Sequence, residues 1–443
     1  MVSVANAELK TAADVVHSIE TAIASGGLAP GQRLEPVRSL ADGLGLAPAT
    51  VASAYKILAG RGLVVGRGRR GTFVVDRPAL VTPTLHSETS IPDGLVDLAR
   101  GNPDPDLLPD WRKAFAALPD RSALYGQPPI DPRLAPILRS RLDDLGVDPS
   151  HLVVVGGALD GLERALASNL RPGDHVALED PGYSSVIELV VAMGLIPLAV
   201  PVDDYGPRPE ALERVIAAGA RAAIITPRAQ NPTGAALTKT RADELAVVLD
   251  GADQTLLLID DHAGPIAGQP YHHITRSAGG RWLMFQSVAK SLGPDLRFAV
   301  GVGDETTVSR VAGRQVLGTG WVSGLLQAVV YNLLTEPEMD SYLAAAAEVY
   351  RKRREAVVAV LSAAGIPVHG RSGLNVWVPS NDEAHAVAGM QLAGYAIRAG
   401  SRYRIDSPPG VRITVASETV DVLAEAAETL VGLVLHSAPS RLA

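Results

Sequence analysis

Apolar side chains recur at helical spacing from Val15 to Ala24, and Gly26, Gly27, Pro30 and Gly31 then break the run. A second helix is expected to open at Pro36, with Val37, Leu40, Ala41 and Leu44 on one face and Gly43 and Gly45 at its end. After a tight turn, a third helix carries Pro48 in its first turn and an apolar stripe of Val51, Tyr55 and Leu58, which leaves Thr50 and Ser53 facing outward. Leu63 to Val65 and Thr72 to Val75, joined by a basic Gly-rich turn, read as a hairpin. From Asp76 to Asp93 the periodicity is lost and Pro78, Pro83 and Pro92 appear among Ser and Thr, the pattern of a polar linker. Beyond it, strand-like runs alternate with helical segments: Leu152 to Val155, His175 to Leu178, Ile196 to Val200, Ala222 to Thr226, Leu256 to Asp260, Arg281 to Phe285 and Ala299 to Val302. That alternation predicts an α/β domain with a mostly parallel sheet, in which ligands bind at the carboxyl ends of the strands.

The first eighty residues have the order of a helix-turn-helix, whose second motif helix enters the major groove of DNA. The chain as a whole carries a formal net charge of -8, which argues against nucleic acid until it is counted by segment. Residues 1 to 80 hold nine Lys and Arg against six Asp and Glu, so the head is +3 and the remainder -11. Four arginines between Arg61 and Gly71 meet no acid, a footprint suited to phosphates. A structural three-helix appendage with solvated arginines is the bland alternative.

Composition sets wider bounds. With 443 residues, 47% of them hydrophobic, the chain can build two or three domains. It contains no apolar run of bilayer-spanning length, and Asn6, Glu8 and Asp14 do not fit a signal peptide. Cys is absent, which rules out disulfides and Cys-based metal sites. A cytoplasmic protein with no membrane contact and no metal is therefore expected.

Candidate chemistry falls just after the strand-like runs. Gly156 and Gly157 follow one strand and open a helix at Ala158, so free N–H groups and the helix dipole face any anion there, although such a pair can simply turn the chain. Asp180-Pro-Gly-Tyr183 can set a ring over a flat ligand or serve only as a turn, and Asn231-Pro-Thr-Gly234 has the same bland reading. Asp260 ends a run of four apolar residues, where a carboxylate is costly without a partner; a protonated pyridine nitrogen is one. Lys290 lies in Ser287-Val-Ala-Lys-Ser-Leu-Gly-Pro-Asp-Leu-Arg297, and its amine can condense with an aldehyde. In that scheme Asn231 donates to the ring's phenolic oxygen, while Ser287, Arg297 and the N–H groups of Gly157 and Ala158 hold a phosphate.

Both parts resemble known families. Leu28-Ala-Pro-Gly-Gln-Arg-Leu34, Arg38-Ser-Leu-Ala41, Thr50-Val-Ala-Ser-Ala-Tyr55 and Gly71-Thr-Phe-Val74 resemble the winged helix-turn-helix of GntR-type regulators. That resemblance implies double-stranded DNA as a partner, contacted by Arg33, Arg38 and Thr50, with Arg67, Arg69 and Arg70 on the wing. Pro48 stands where the family often has a base-reading Arg, which shifts base readout toward the wing. From about Leu98 onward the chain resembles the fold-type I aminotransferases. The matches include Leu98-Ala-Arg-Gly-Asn-Pro-Asp104, Tyr125-Gly126 and Val411-Arg-Ile-Thr-Val-Ala416, in addition to the motifs above. This implies pyridoxal 5'-phosphate bound through a Schiff base at Lys290, with Tyr183 against the ring. It also implies an α-carboxylate on Arg412, and a homodimer in which Tyr125 reaches the neighbouring subunit's phosphate. His262, Ala289 and Ala158 depart from the family's Tyr, Ser or Thr, and hydroxyl residue; His262 still offers a donor to the ring oxygen but is expected to titrate near neutrality.

The joined arrangement is that of the MocR subgroup. It implies a winged helix-turn-helix at residues 1–76, a linker at 77–97 and a fold-type I body at 98–443. Within the body, the large part spans about 120–325 and the small α+β part about 98–119 and 326–443. On this resemblance the chain is a transcriptional regulator that senses pyridoxal phosphate, or an amine or amino-acid effector, through Lys290. A working aminotransferase with an accessory DNA-binding head is the alternative.

Overall fold

The computed structural model describes residues 11–24, 27–60, 63–66, 68–75, 91–118, 124–277 and 279–436, divided between two compact units, Met1–Thr84 and Leu85–Ala443. Arg67, the side chain of Arg69 and most of the expected linker lie outside the described residues.

In the first unit, helices α1 (Ala12–Ala24), α2 (Val37–Leu44) and α3 (Pro48–Gly60) precede strands β1 (Val64–Gly66) and β2 (Thr72–Val74). Gly45, at φ 68°, ends α2 in the left-handed conformation that only glycine adopts cheaply, and its N–H returns to the helix's last turn. The predicted stripe of α3 packs as read: Val51, Tyr55 and Leu58 are buried against Val15, Val16, Ile19 and Ala41. The hairpin pairs Val64 with Val74 and Gly66 with Thr72.

The second unit contains β3 (Val96–Asp97), β4 (Leu152–Val155), β5 (His175–Asp180), β6 (Ile196–Asp203), β7 (Gly206–Pro207), β8 (Ala220–Ile225), β9 (Leu256–Asp261), β10 (Trp282–Ser287), β11 (Ala299–Gly303), β12 (Asn375–Pro379), β13 (Tyr395–Ala396), β14 (Arg398–Ala399) and β15 (Gly410–Thr414). Eight of them form one sheet in the order β4-β11-β10-β9-β8-β5-β6-β7. The central pairings, β10 through β9, β8 and β5 to β6, are parallel; β11 runs against both of its neighbours. Alternate residues feed two different cores, Leu257, Ile259 and Met284 into one and Leu256, Leu258 and Phe285 into the other. Covering both faces is why these strands read as unbroken apolar runs. β9 and β10 extend a residue or more beyond those runs, to Asp261 and Ser287, because neighbouring strands continue the ladder after the apolar pattern stops: Asp261 pairs with Gln286 in parallel and Ser287 with Ala299 of antiparallel β11.

The helix Ala158–Asn169 lies close on the sheet. A Cβ at Gly161 would fall 2.3 Å from the Phe285 ring, so glycine is required there for the helix to bring its N-terminus to the strand ends. The small part is a three-stranded sheet, β12-β15-β14, beneath the helices Met339–Ala363, Glu383–Leu392 and Val420–His436. β3 falls within the stretch read as linker, yet it pairs in parallel with β13, because Val96 packs on this small core.

Candidate functional site

Five strand ends converge on one cleft. Gly157 and Ala158 follow β4, Tyr183 follows β5, Asn231 follows β8, Asp260 and His262 lie at the end of β9, Ser287 ends β10 and Lys290 follows it. Arg297 and Arg412 join them from the loop before β11 and from the middle of β15. Tyr125 stands apart, 90% exposed and edge-on to Trp321 with ring centroids 5.5 Å apart.

One end of the cleft gathers groups able to hold an anion. Gly157 adopts φ 102° ahead of the helix, and a Cβ there would lie 3.2 Å from Nη2 of Arg297. Arg297 itself adopts φ 43°, a left-handed conformation that costs a non-glycine residue about 1–3 kcal/mol and is typical of sites where geometry is imposed. The result lays its guanidinium against the helix N-terminus, whose first N–H groups have no intrahelical acceptor. Ser287 is buried, and its Oγ accepts from the N–H of Ala289 at 3.1 Å, which leaves the hydroxyl proton to donate.

At the floor, two adjacent carboxylates have opposite environments. Although burial works against it, the Arg228 guanidinium, bidentate at 2.8 and 2.9 Å, holds Asp261 below the usual carboxylate range. Asp260 is only 5% exposed and its Oδ1 has no hydrogen-bond partner. Burial, then the charges of Asp261 and Glu179, push Asp260 up to about 7. A buried acceptor in that state suits a cationic N–H, and a protonated ring nitrogen fits the requirement.

Lys290 Nζ donates to the carbonyl of Gly101 at 2.9 Å. Arg412 is 4% exposed, donates to Oδ1 of Asn231 at 3.1 Å and to the Ala99 carbonyl, and lies 5.0 Å from the centre of the Tyr403 ring. His262 does not titrate near neutrality: burial, followed by the charge of Lys290, pushes its imidazole down to about 4, so it is a neutral donor or acceptor.

Sequence reasoning missed Glu179, which lies behind the cleft and whose charge acts on Asp260, and three residues that line the cleft. Glu179 also ends a buried apolar strand, accepts from the Thr226 N–H at 3.0 Å, and is pushed by burial up to about 7; the argument used for Asp260 would have found it. Arg398, Arg402 and Asn375 line the cleft from the small part, and no local signal marks them, since their placement depends on how β12, β14 and β15 assemble.

In the head, Arg33, Arg38 and Arg70 are exposed and Thr50 is half-buried. Arg33 reaches the hairpin: it bridges Phe73 through the backbone, and its guanidinium lies where any side chain at Gly71 would collide. Among the described residues no group of His, Asp and Glu is arranged to hold a metal, and no helix is long and apolar enough to cross a membrane.

A family model described as aminotransferase class I and II matches residues 93–430, and one for bacterial regulatory proteins of the gntR family matches residues 11–74. Similar chains include the vitamin B6 salvage pathway transcriptional repressor PtsJ of Salmonella typhimurium, 37% identical over 410 residues, 92% of this chain and 95% of that protein. The HTH-type transcriptional regulator TauR of Rhodobacter capsulatus is 30% identical, with 79% of each chain covered. The fold is shared with the kynurenine aminotransferase of Pyrococcus horikoshii at a TM-score of 0.72 and 21% identity, across 82% of this chain and 96% of that one.

Proposed function

From the membership of this chain in the aminotransferase class I and II family, joined to a gntR-type head in the MocR arrangement, we propose a DNA-binding transcriptional regulator that senses pyridoxal 5'-phosphate or an amine ligand. The observation that carries this reading is the gathering of Lys290, Asp260, Asn231, Ser287 and Arg297 around one cleft in a chain with a helix-turn-helix head. When bound, the cofactor supplies an aldehyde that condenses with amines and a protonated ring that withdraws electrons.

The residues divide the work of holding it. Lys290 would hold the cofactor's aldehyde through Nζ. Asp260 keeps a proton on the ring nitrogen, and Asn231 and His262 address the phenolic oxygen. Arg297, Ser287 and the N–H groups of Gly157 and Ala158 hold the phosphate, and Tyr183 covers the ring. Arg412 takes the carboxylate of an incoming effector, a bidentate task suited to guanidinium. Tyr125 reaches a second subunit of a homodimer. Arg33, Arg38 and Thr50 contact double-stranded DNA, with Arg67, Arg69 and Arg70 on the wing.

The experiment is a fluorescence-anisotropy titration of full-length protein onto DNA from upstream of its own gene, with and without pyridoxal phosphate and a panel of amino acids. Specific binding that changes with either addition supports the proposal; no specific binding under any condition refutes it. A second reading, a working aminotransferase, is favoured by the retention of Lys290, Asn231 and Arg412 together in the cleft. Rapid, reversible spectral conversion with amino acids and keto acids would select it.

A further inference from the structure

Two acids, Glu179 and Asp180, close β5, and because successive residues of a strand project to opposite faces they serve different neighbours. Glu179 meets the end of β8 at the Thr226 N–H. Asp180, buried, meets the small part instead. Its Oδ1 accepts from the N–H of Ile405 at 2.9 Å and from Oγ of Ser407 at 2.8 Å, while its Oδ2 accepts from the N–H groups of Asp406 and Ser407 at 2.8 and 2.7 Å. A carboxylate taken out of water is costly unless hydrogen bonds replace its hydration, and here one loop supplies them.

That loop, between Gly400 and Gly410, has a second anchor at its base. Glu383, in the first turn of the helix Glu383–Leu392, accepts from the N–H of Ser401 at 2.9 Å and from that of Gly410 at 3.0 Å. The base is therefore closed within the small part, and Asp180 ties the far end to the large sheet. The N–H of Gly182 adds a bond to the Tyr403 carbonyl at 2.7 Å, from the same turn that carries Tyr183.

Tyr403 lies between the two anchors. Its buried ring is 5.0 Å from the guanidinium carbon of Arg412 and edge-on to Trp377, the cross-strand neighbour of Arg412, with ring centroids 6.4 Å apart. An aromatic face at that distance attracts a guanidinium and fixes its plane. Asp180 itself lies outside the lining of the cleft, so any influence it has on a ligand passes through Tyr403.

We propose that Asp180 is a positioning residue: by fixing the backbone of residues 405–407 it holds the Tyr403 ring against Arg412 and so sets the affinity of the cleft for an effector's carboxylate. This rests on the reading of Arg412 as the carboxylate site. Asn at position 180 has one oxygen and one amide nitrogen, so two of the four donors lose their acceptor. A loop released at its far end and still closed at its base lets Tyr403 leave the guanidinium, while Lys290, Asp260 and Arg297 stay on elements of the large part.

The test titrates full-length protein loaded with pyridoxal phosphate with 2-aminoisobutyrate and with tert-butylamine, read by the absorbance of the bound cofactor. The two amines differ by a carboxylate in place of a methyl group, and neither has the Cα hydrogen that transamination removes. D180N is expected to weaken 2-aminoisobutyrate by about tenfold, with tert-butylamine and pyridoxal phosphate itself within about twofold of wild type, a split that a general loss of order would not produce. Y403L should give the same selective loss, and D180N/Y403L no more than the larger single loss, because Asp180 acts through that ring. S407A removes one of the four donors and keeps the charge; it should weaken 2-aminoisobutyrate alone by about threefold, and with Y403L it decides the matter if D180N does not fold. Equal losses for both amines, no loss in D180N or S407A, or additive losses in the double variant overturn the proposal. A wild-type protein with no preference for 2-aminoisobutyrate refutes Arg412 as the carboxylate site and this proposal with it. Absence of the cofactor's absorbance in the wild type refutes the cofactor reading instead; isobutyrate titrated onto the cofactor-free protein, wild type against D180N, then decides, with the same loss of about tenfold expected.

Discussion

Nη1 of Arg412 donates to Oδ1 of Asn231 at 3.1 Å, so the residue proposed to take an effector carboxylate and the residue proposed to hold the cofactor's phenolic oxygen form one hydrogen-bonded unit. With the amide oxygen engaged, Asn231 has its donors left to offer a ligand.

Arg412→Ala should therefore separate two affinities. Carboxylate effectors are expected to weaken by about ten- to hundredfold, while the dissociation constant for pyridoxal phosphate moves by less than about fivefold. Parallel titrations of the two ligands check this. Equal losses in both would remove Arg412 from the effector site.

Lys290→Ala should abolish the absorbance that marks covalently attached pyridoxal phosphate and leave the thermal midpoint of the cofactor-free protein within a few degrees of wild type. Spectra after dialysis against the cofactor are the measurement. A retained band would exclude Lys290 as the attachment point.

Asp260 predicts a pH dependence in the cofactor-free protein. Its folded-state value, about 7, lies above the ordinary 3.8, so the folded chain binds more protons than the unfolded chain between these limits. Stability is thus favoured below about pH 4 and is lost as pH rises through 7. Glu179, also raised to about 7 by burial, adds in the same direction, and its charge is one of the causes that raise Asp260. Asp260→Asn should flatten the fall in thermal midpoint between pH 5 and about 8. It should also weaken the cofactor by about tenfold or more, since a neutral amide cannot hold the ring proton. A midpoint profile identical to wild type would contradict the burial argument.

Gly157→Ala should act through the phosphate alone. The new Cβ meets Arg297 at 3.2 Å, and φ 102° strains any side chain. Affinity for pyridoxal phosphate is expected to fall by about tenfold, while affinity for pyridoxal, which lacks the phosphate, stays within about twofold. Equal losses for both ligands would place the effect elsewhere.

In the head, Arg38→Ala and Arg70→Ala should weaken DNA binding similarly across sequences and lower the salt-dependence slope by about one each. Anisotropy titrations at several salt concentrations measure it. A change confined to one sequence would reassign the residue to base readout.

Much of this was legible before the fold was known. The seven strand-like runs of the body are strands, because a sheet buried on both faces demands unbroken apolar runs, and the candidate residues at their ends line one cleft because parallel strands share a carboxyl edge. Val51, Tyr55 and Leu58 mark the buried face of α3 for a similar local reason. The two-residue strands β3, β7, β13 and β14 escaped notice, since two residues carry no period to read.

The order of the motifs and the identity of the reactive groups were therefore set by the sequence alone: Lys290 in its loop, Asp260 at the end of an apolar run, glycines before a helix. Tertiary structure decided their electrostatics and neighbours. Asp261 meets Arg228 while Oδ1 of Asp260 has no hydrogen-bond partner, although the two are adjacent in the chain. His262 is neutral because of enclosure and of Lys290, 28 positions away. Arg398 faces Arg412 because two strands pair in one register. Local periodicity records which face of an element is buried; it does not record which elements meet across that face, and pairwise charge depends on the latter.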